Sequence, residues 1–223
     1  SNRTSDLDLS NNQLESIESN AFDSICFNIS KLNMSHNRLK HIDADTINVL
    51  CNLEMLDLND NPLNRLDPLL VSNLGIERLI LRNINLDQLS DQTFYNMTYL
   101  NYLDLSGNKL ELINENLFRN KLVNLAELKL NDNQLKLINA NAFKELPTLK
   151  NLDLSNNQQL GKSLAKEKFF RCKQVPFDYQ LLVELKMSDC GIDAIDEETF
   201  SALINLQSLD LSKNKLNQSK MAS

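Results

Sequence analysis

The chain is 223 residues long, 42% hydrophobic and 24% charged, an ordinary globular composition that excludes disorder and low-complexity polymer. Lys+Arg 23 against Asp+Glu 30 gives a formal charge of -7, the wrong sign for a generic binder of phosphate backbones, so no nucleic-acid partner is expected. The apolar residues never form a run of about 18, so no membrane span is expected in this chain. Ser1 begins mid-pattern without a charged-then-apolar leader, so the first residues read as the inside of a repeat.

Self-similarity is the dominant signal. The string LxxLxLxxNxL is complete at Leu53, Leu56, Leu58, Asn61 and Leu63, again at Leu100, Leu103, Leu105, Asn108 and Leu110, and again at Leu125, Leu128, Leu130, Asn133 and Leu135. Weaker copies start at Thr4, Ile29, Ile76, Leu149, Leu182 and Leu206, so that nine copies follow at steps of 25, 24, 23, 24, 25, 24, 33 and 24 residues. In each copy the LxL centre alternates as a short strand does, its two leucines facing one side and their neighbours the other. Asn12, Asn37, Asn61, Asn108, Asn133, Asn157 and Asn214 follow the strands. An amide there carries both donors and acceptors, so a stacked row of them satisfies the backbone of successive turns. A second apolar set returns the chain to the next strand: Ile17 with Phe22, Ile113 with Phe118, Ile138 with Phe143, and Ile195 with Phe200.

LxxLxLxxNxL followed by this isoleucine and phenylalanine, at about 24 residues, resembles the leucine-rich repeat of animal extracellular proteins, as in Toll-like receptor ectodomains and insect leucine-rich-repeat immune proteins. The resemblance covers nearly the whole chain. It implies an α/β solenoid, a horseshoe with a concave parallel β-sheet and a convex face of irregular and short helical segments. The expected organisation is a single domain over residues 1–223, of about nine repeats with a long one at 149–181. Recognisable Cys-rich caps are missing at both ends, so either the chain continues or partners cover the ends.

Departures from the pattern mark candidate sites. In the fourth copy Ile80 stands where a polar strand residue is usual and Ile84 replaces the turn asparagine, with Arg82 between them. Local repacking and ligand contact both account for these changes. Tyr102 is the clear aromatic among the outward strand positions, and aromatic anchors concentrate binding energy. The seventh copy exceeds the period by about nine residues, and its surplus, Leu160 to Gln180, holds Lys162, Lys166, Lys168, Arg171 and Lys173 on an acidic molecule. The surplus is expected to loop out, with Lys166, Lys168, Arg171 and Lys173 meeting an acidic partner. An elaboration that only seals the seventh coil is the alternative. Cys190 replaces the turn asparagine of the eighth copy, and a small thiol packs well at a buried position.

Cys26 and Cys51 occupy equivalent places in the first two copies, four residues after Phe22 and Ile47. Coils stacked at about 4.8 Å allow a disulfide without distortion, and two separate thiols are the alternative. The secretion implied by the family resemblance favours the bridge. Cys172 and Cys190 form a weaker second pair, with no support from their offsets. Asn2, Asn28, Asn33, Asn96 and Asn217 head Asn-x-Ser/Thr sequons; Asn33 lies on the concave strand positions.

No catalytic set is defensible. His36 and His41 have no metal-ligand spacing, Gly numbers only 4, and no phosphate-binding loop occurs, so an enzyme, a cofactor and a metal are not expected. Asp8, Asp57, Asp104, Asp153 and Asp210 occupy the polar place between strand leucines, which reads as the common filling of this repeat or as a cation stripe. The expected function is non-catalytic protein recognition outside the cell, in an innate-immune receptor ectodomain or a secreted immune complex. A cell-adhesion or matrix scaffold is the alternative. The partner would be a protein, and oligomerisation, with itself or another chain, would use the uncapped ends or the 160–180 insertion.

Overall fold

The computed structural model describes residues 5–70, 75–119, 122–167, 181–196 and 199–217, without the side chains of 165–167. The strands in chain order are β1 (Ser5–Asp8), β2 (Ile29–Asn33), β3 (Met55–Asp57), β4 (Arg78–Ile80), β5 (Tyr102–Asp104), β6 (Leu112–Ile113), β7 (Glu127–Lys129), β8 (Leu137–Ile138), β9 (Asn151–Asp153), β10 (Glu184–Lys186) and β11 (Ser208–Asp210). Among the described residues two helices join them, α1 (Ala44–Asn48) and α2 (Gly161–Glu167), with a 3-10 turn at Asp23–Ile25. Nine strands form one sheet in the order β1-β2-β3-β4-β5-β7-β9-β10-β11, and β6 pairs with β8 in a second.

Every pairing is parallel, and the central leucines stand in one line: Leu32, Leu56, Leu79, Leu103, Leu128, Leu152, Leu185 and Leu209. The strand order follows chain order because each coil can bury its leucines only against its neighbours. From Leu32 to Leu185 these residues are buried. Leu209, in the last strand, is exposed. The nine copies read from the sequence therefore correspond to the nine strands of the continuous sheet.

The turn after each strand is built from two devices. The residue before the ladder position is left-handed in every coil: Asn11, His36, Asp60, Asn83, Gly107, Asp132, Asn156, Asp189 and Lys213 have φ between 51° and 67°. Asn, Asp and Gly accept this region most readily, which explains most of these identities. The next residue is the ladder amide. Asn133 donates from Nδ2 to the carbonyls of Leu105 and Leu130, each at 3.0 Å, and its Oδ1 accepts the Leu110 N–H at 3.1 Å. Asn37, Asn61, Asn108, Asn157 and Asn214 repeat this reach into the preceding coil.

The ladder adapts where the amide is missing. At Ile84 the following Asn108 Oδ1 accepts two amides, those of Ile84 and Leu86. Asn214 does the same for Cys190 and Ile192. The Cys190 thiol goes further than filling space, its single hydrogen directed at Leu154 O at 3.1 Å with Ser188 O at 3.7 Å as a longer alternative acceptor, both of them carbonyls an asparagine amide would serve. On the convex side Phe94, Phe118 and Phe143 stack with centroids 6.1 and 6.0 Å apart. Beside β8, where a third strand of the minor sheet would stand, lies α2.

This helix corrects part of the sequence reading. Residues 161–167 do not loop out but turn helical, burying Leu160 and Leu164. Gly161 sits so close to the next coil that a Cβ would lie 2.5 Å from the carbonyl of Gly191. The remainder of the basic segment, with Lys168, Arg171, Cys172 and Lys173, lies outside the described residues, as does the side chain of Lys166.

Candidate functional site

Two rows of side chains leave the open face of the main sheet. The first holds Asp6, Lys31, Met55, Arg78, Tyr102, Glu127, Asn151, Glu184 and Ser208. The second holds Asp8, Asn33, Asp57, Ile80, Asp104, Lys129, Asp153, Lys186 and Asp210.

The acidic positions of the second row are engaged locally. Asp8, Asp57, Asp104, Asp153 and Asp210 each accept the backbone N–H two residues on, at 2.8–3.0 Å, and Asn33 accepts that of Ser35 in the same way. They secure the turn rather than face a cation, and among the described residues no group of acidic, histidine or cysteine side chains is arranged for a metal. The Ser10 and Ser212 hydroxyls and amides hold Asp8 and Asp210 below the usual carboxylate range. Burial pushes Asp57 up, opposed by the Asn59 amide and by His36, and reinforced by Asp104 and Asp60.

At the centre, Tyr102 is not the exposed anchor the sequence suggests. It is 8% exposed, because the Arg78 guanidinium lies 3.9 Å from its ring centroid and Lys129 Nζ 5.2 Å from it. Both cations face the electron-rich ring. The Tyr102 hydroxyl donates to Asp104 Oδ2 at 3.4 Å. The same hydroxyl holds Lys129 above its ordinary range against the effect of burial, with Glu127 and Asp104 adding to it. Lys129 and Lys186 each reach a carboxylate on their own strand, Glu127 at 3.5 Å and Glu184 at 3.2 Å. A shallow cleft of about 30 Å³ runs between these pairs, lined by Lys129, Asp153 and Lys186.

Ile80 is half-buried and Arg82 exposed, on the outward side of the fourth coil with Arg78. Sequence reasoning missed Arg78, which becomes visible when the copies are aligned and Arg78 falls beside Tyr102. Asn28 and Asn217 are exposed, Asn33 is half-exposed, and Asn96 is exposed in a left-handed turn, while Asn2 lies outside the described residues. Cys26, half-buried, and Cys51, exposed, are free thiols in adjacent coils, where Asn52 Nδ2 donates to Phe27 O at 2.8 Å. The thiol of Cys190 is buried, and that burial pushes it up to about 12.

A leucine rich repeat family profile matches residues 2–63, and a BspA type leucine rich repeat region (6 copies) matches 70–179 and 133–222. Tsukushi of Gallus gallus is 29% identical over 93% of this chain and 60% of that protein. CD180 antigen of Mus musculus is 26% identical over 90% of this chain and 33% of its own length. Toll-like receptor 3 of Bos taurus is 30% identical over 95% of this chain and 21% of its own length. The solved structure titled "Crystal structure of TLR13-ssRNA13 complex" superposes with a TM-score of 0.70 at 28% identity, over 91% of this chain and 32% of that one. The chain thus spans between about a fifth and three fifths of the curated relatives it matches.

Proposed function

Because the chain belongs to the leucine-rich repeat family, we propose that it is a recognition module whose open parallel sheet binds a protein, without catalysis. The observation that carries this reading is the uncovered sheet. Parallel sheets are ordinarily packed on both faces, whereas here the described residues place a core behind the sheet and only side-chain rows in front of it. Those rows alternate charge, apolar and aromatic groups over nine strands, a broad and shallow surface suited to a macromolecule rather than a small ligand.

The similarity to CD180 antigen and a Toll-like receptor supports an extracellular role in an innate-immune receptor ectodomain or a secreted immune complex. Among the described residues no helix is long and apolar enough to cross a membrane. A photo-crosslinking residue placed at Asn151, on the open sheet, and separately at Lys144, on the convex side, tests the reading against a panel of purified ectodomains and secreted proteins. Crosslinks from 151 that are absent from 144 are expected. Crosslinking confined to 144 would overturn sheet-face recognition.

A further inference from the structure

The fourth coil carries two cations that the described residues leave unneutralised. Leu79 and Leu81 face the core, so Arg78, Ile80 and Arg82 stand on the open face at alternate positions. Among the described residues neither guanidinium has an ion pair or a hydrogen bond; Arg78 has only the Tyr102 ring beneath it. The neighbouring acids are already engaged. His36 Nδ1 pairs with Asp60 at 3.3 Å, and Asn83 donates to the same carboxylate at 2.8 Å. Asp104 serves the Ser106 amide and the Tyr102 hydroxyl, and Glu127 serves Lys129.

Resting on the reading of the open sheet as a protein-binding surface, we propose that Arg78, Ile80 and Arg82 form a subsite for an extended acidic segment of the partner, with carboxylates at i and i+4 flanking an apolar side chain at i+2. Arg78 opens β4 and Arg82 lies in the turn two residues past its end, so the two stand within the roughly 13 Å that four residues of extended chain can span, the reach of side chains four residues apart in an extended peptide. Each guanidinium presents a planar fork that fits a carboxylate, and Tyr102 holds that of Arg78 in place. Ile80 between them offers apolar contact where most coils offer a polar side chain. The surrounding carboxylates Asp57, Asp104 and Glu127 would repel a continuous polyanion, so two discrete charges suit the subsite better than a phosphate or sulfate polymer.

The probes are fluorescent nonapeptides with a central Glu-Thr-Val-Thr-Glu, a same-composition Glu-Glu-Val-Thr-Thr, and Lys-Thr-Val-Thr-Lys, read by anisotropy at low and moderate salt, with heparin as a polyanion control. The first peptide is expected to bind at least tenfold more tightly than the second, to lose tenfold or more with Arg78→Gln or Arg82→Gln, and to weaken with salt. The double variant Arg78→Glu/Arg82→Glu should instead select the lysine peptide, a gain that misfolding does not mimic. Equal binding of the two acidic peptides, heparin binding that is lost with both Gln substitutions, or no exchange of preference in the double variant would overturn the subsite. If crosslinks from residue 151 persist while the peptides ignore Arg78 and Arg82, the subsite fails and sheet-face recognition stands; if both fail, so does the wider reading.

Discussion

At the scale of single residues, the turn amides do the structural work that a side-chain inventory assigns to the leucines alone. Asn133 is buried and completes the hydrogen bonding of Leu105, Leu130 and Leu110, so Asn133→Ala leaves several buried groups unpaired. A loss of about 3 kcal/mol is expected in urea unfolding, against about 1 kcal/mol or less for Asn12→Ala in the exposed first coil. Cys190 gives a pH-dependent counterpart. Its thiol sits at about 12 in the fold against 9.0 when free, so above pH 9 the unfolded chain releases a proton that the folded chain keeps. Stability then falls as pH rises from 9 towards 12, by about 1.4 kcal/mol per unit from this group. Relative to Cys190→Ala, the wild-type chain should show that extra slope in denaturant titrations between pH 9 and 10.5, and equal slopes would refute it. The ladder asparagines were legible in the sequence because their spacing is periodic. The Asp row was legible as a row but its role was not, because a carboxylate that secures a turn and one that faces solvent are written with the same letter.

At the scale of elements, α2 and the first two coils show where local pattern runs out. The 33-residue copy announces an insertion, yet only packing decides that its first part becomes a helix against β8. Leu160 and Leu164, four apart, are the signal that burial uses. Gly161→Ala would force a Cβ onto the Gly191 carbonyl, so a loss of about 2 kcal/mol is expected, whereas Lys162→Ala on the exposed side should change stability little. In the first two coils, oxidation by a glutathione disulfide buffer is expected to join Cys26 and Cys51, whose chain neighbours Phe27 and Asn52 are already hydrogen-bonded. The two thiols surrender two protons and two electrons to the oxidant, and closing that loop adds about 3 kcal/mol. Peptide mapping without reduction checks it: a 26–51 crosslinked peptide is expected, and alkylation of both thiols after oxidation would rule it out. The alternative bridge from Cys190 would remove the thiol hydrogen that Leu154 O accepts.

At the scale of the whole molecule, the solenoid was readable because its contacts run between equivalent positions of adjacent copies, so the period carries the tertiary structure. The surface was less readable. Whether Tyr102 is open depends on Arg78 and Lys129, which lie 24 and 27 residues away and meet it only across the sheet. Ile80 and Ile84 stood out as departures from the repeat, but that Arg78 and Arg82 have no ion pair among the described residues follows from where Asp60, Asp104 and Glu127 spend their hydrogen bonds. The central claim is that the open sheet is the recognition surface, and a glycan used as a wedge tests it most directly. Asp153→Thr creates a sequon that places the sugar on Asn151 of β9, and Asn141→Thr creates one on Asn139 at the convex side. With occupancy verified by mass spectrometry and the fold by circular dichroism, partner binding measured by surface plasmon resonance should disappear with the glycan at Asn151 and persist with the glycan at Asn139. Undiminished binding with the sheet so blocked would contradict the claim.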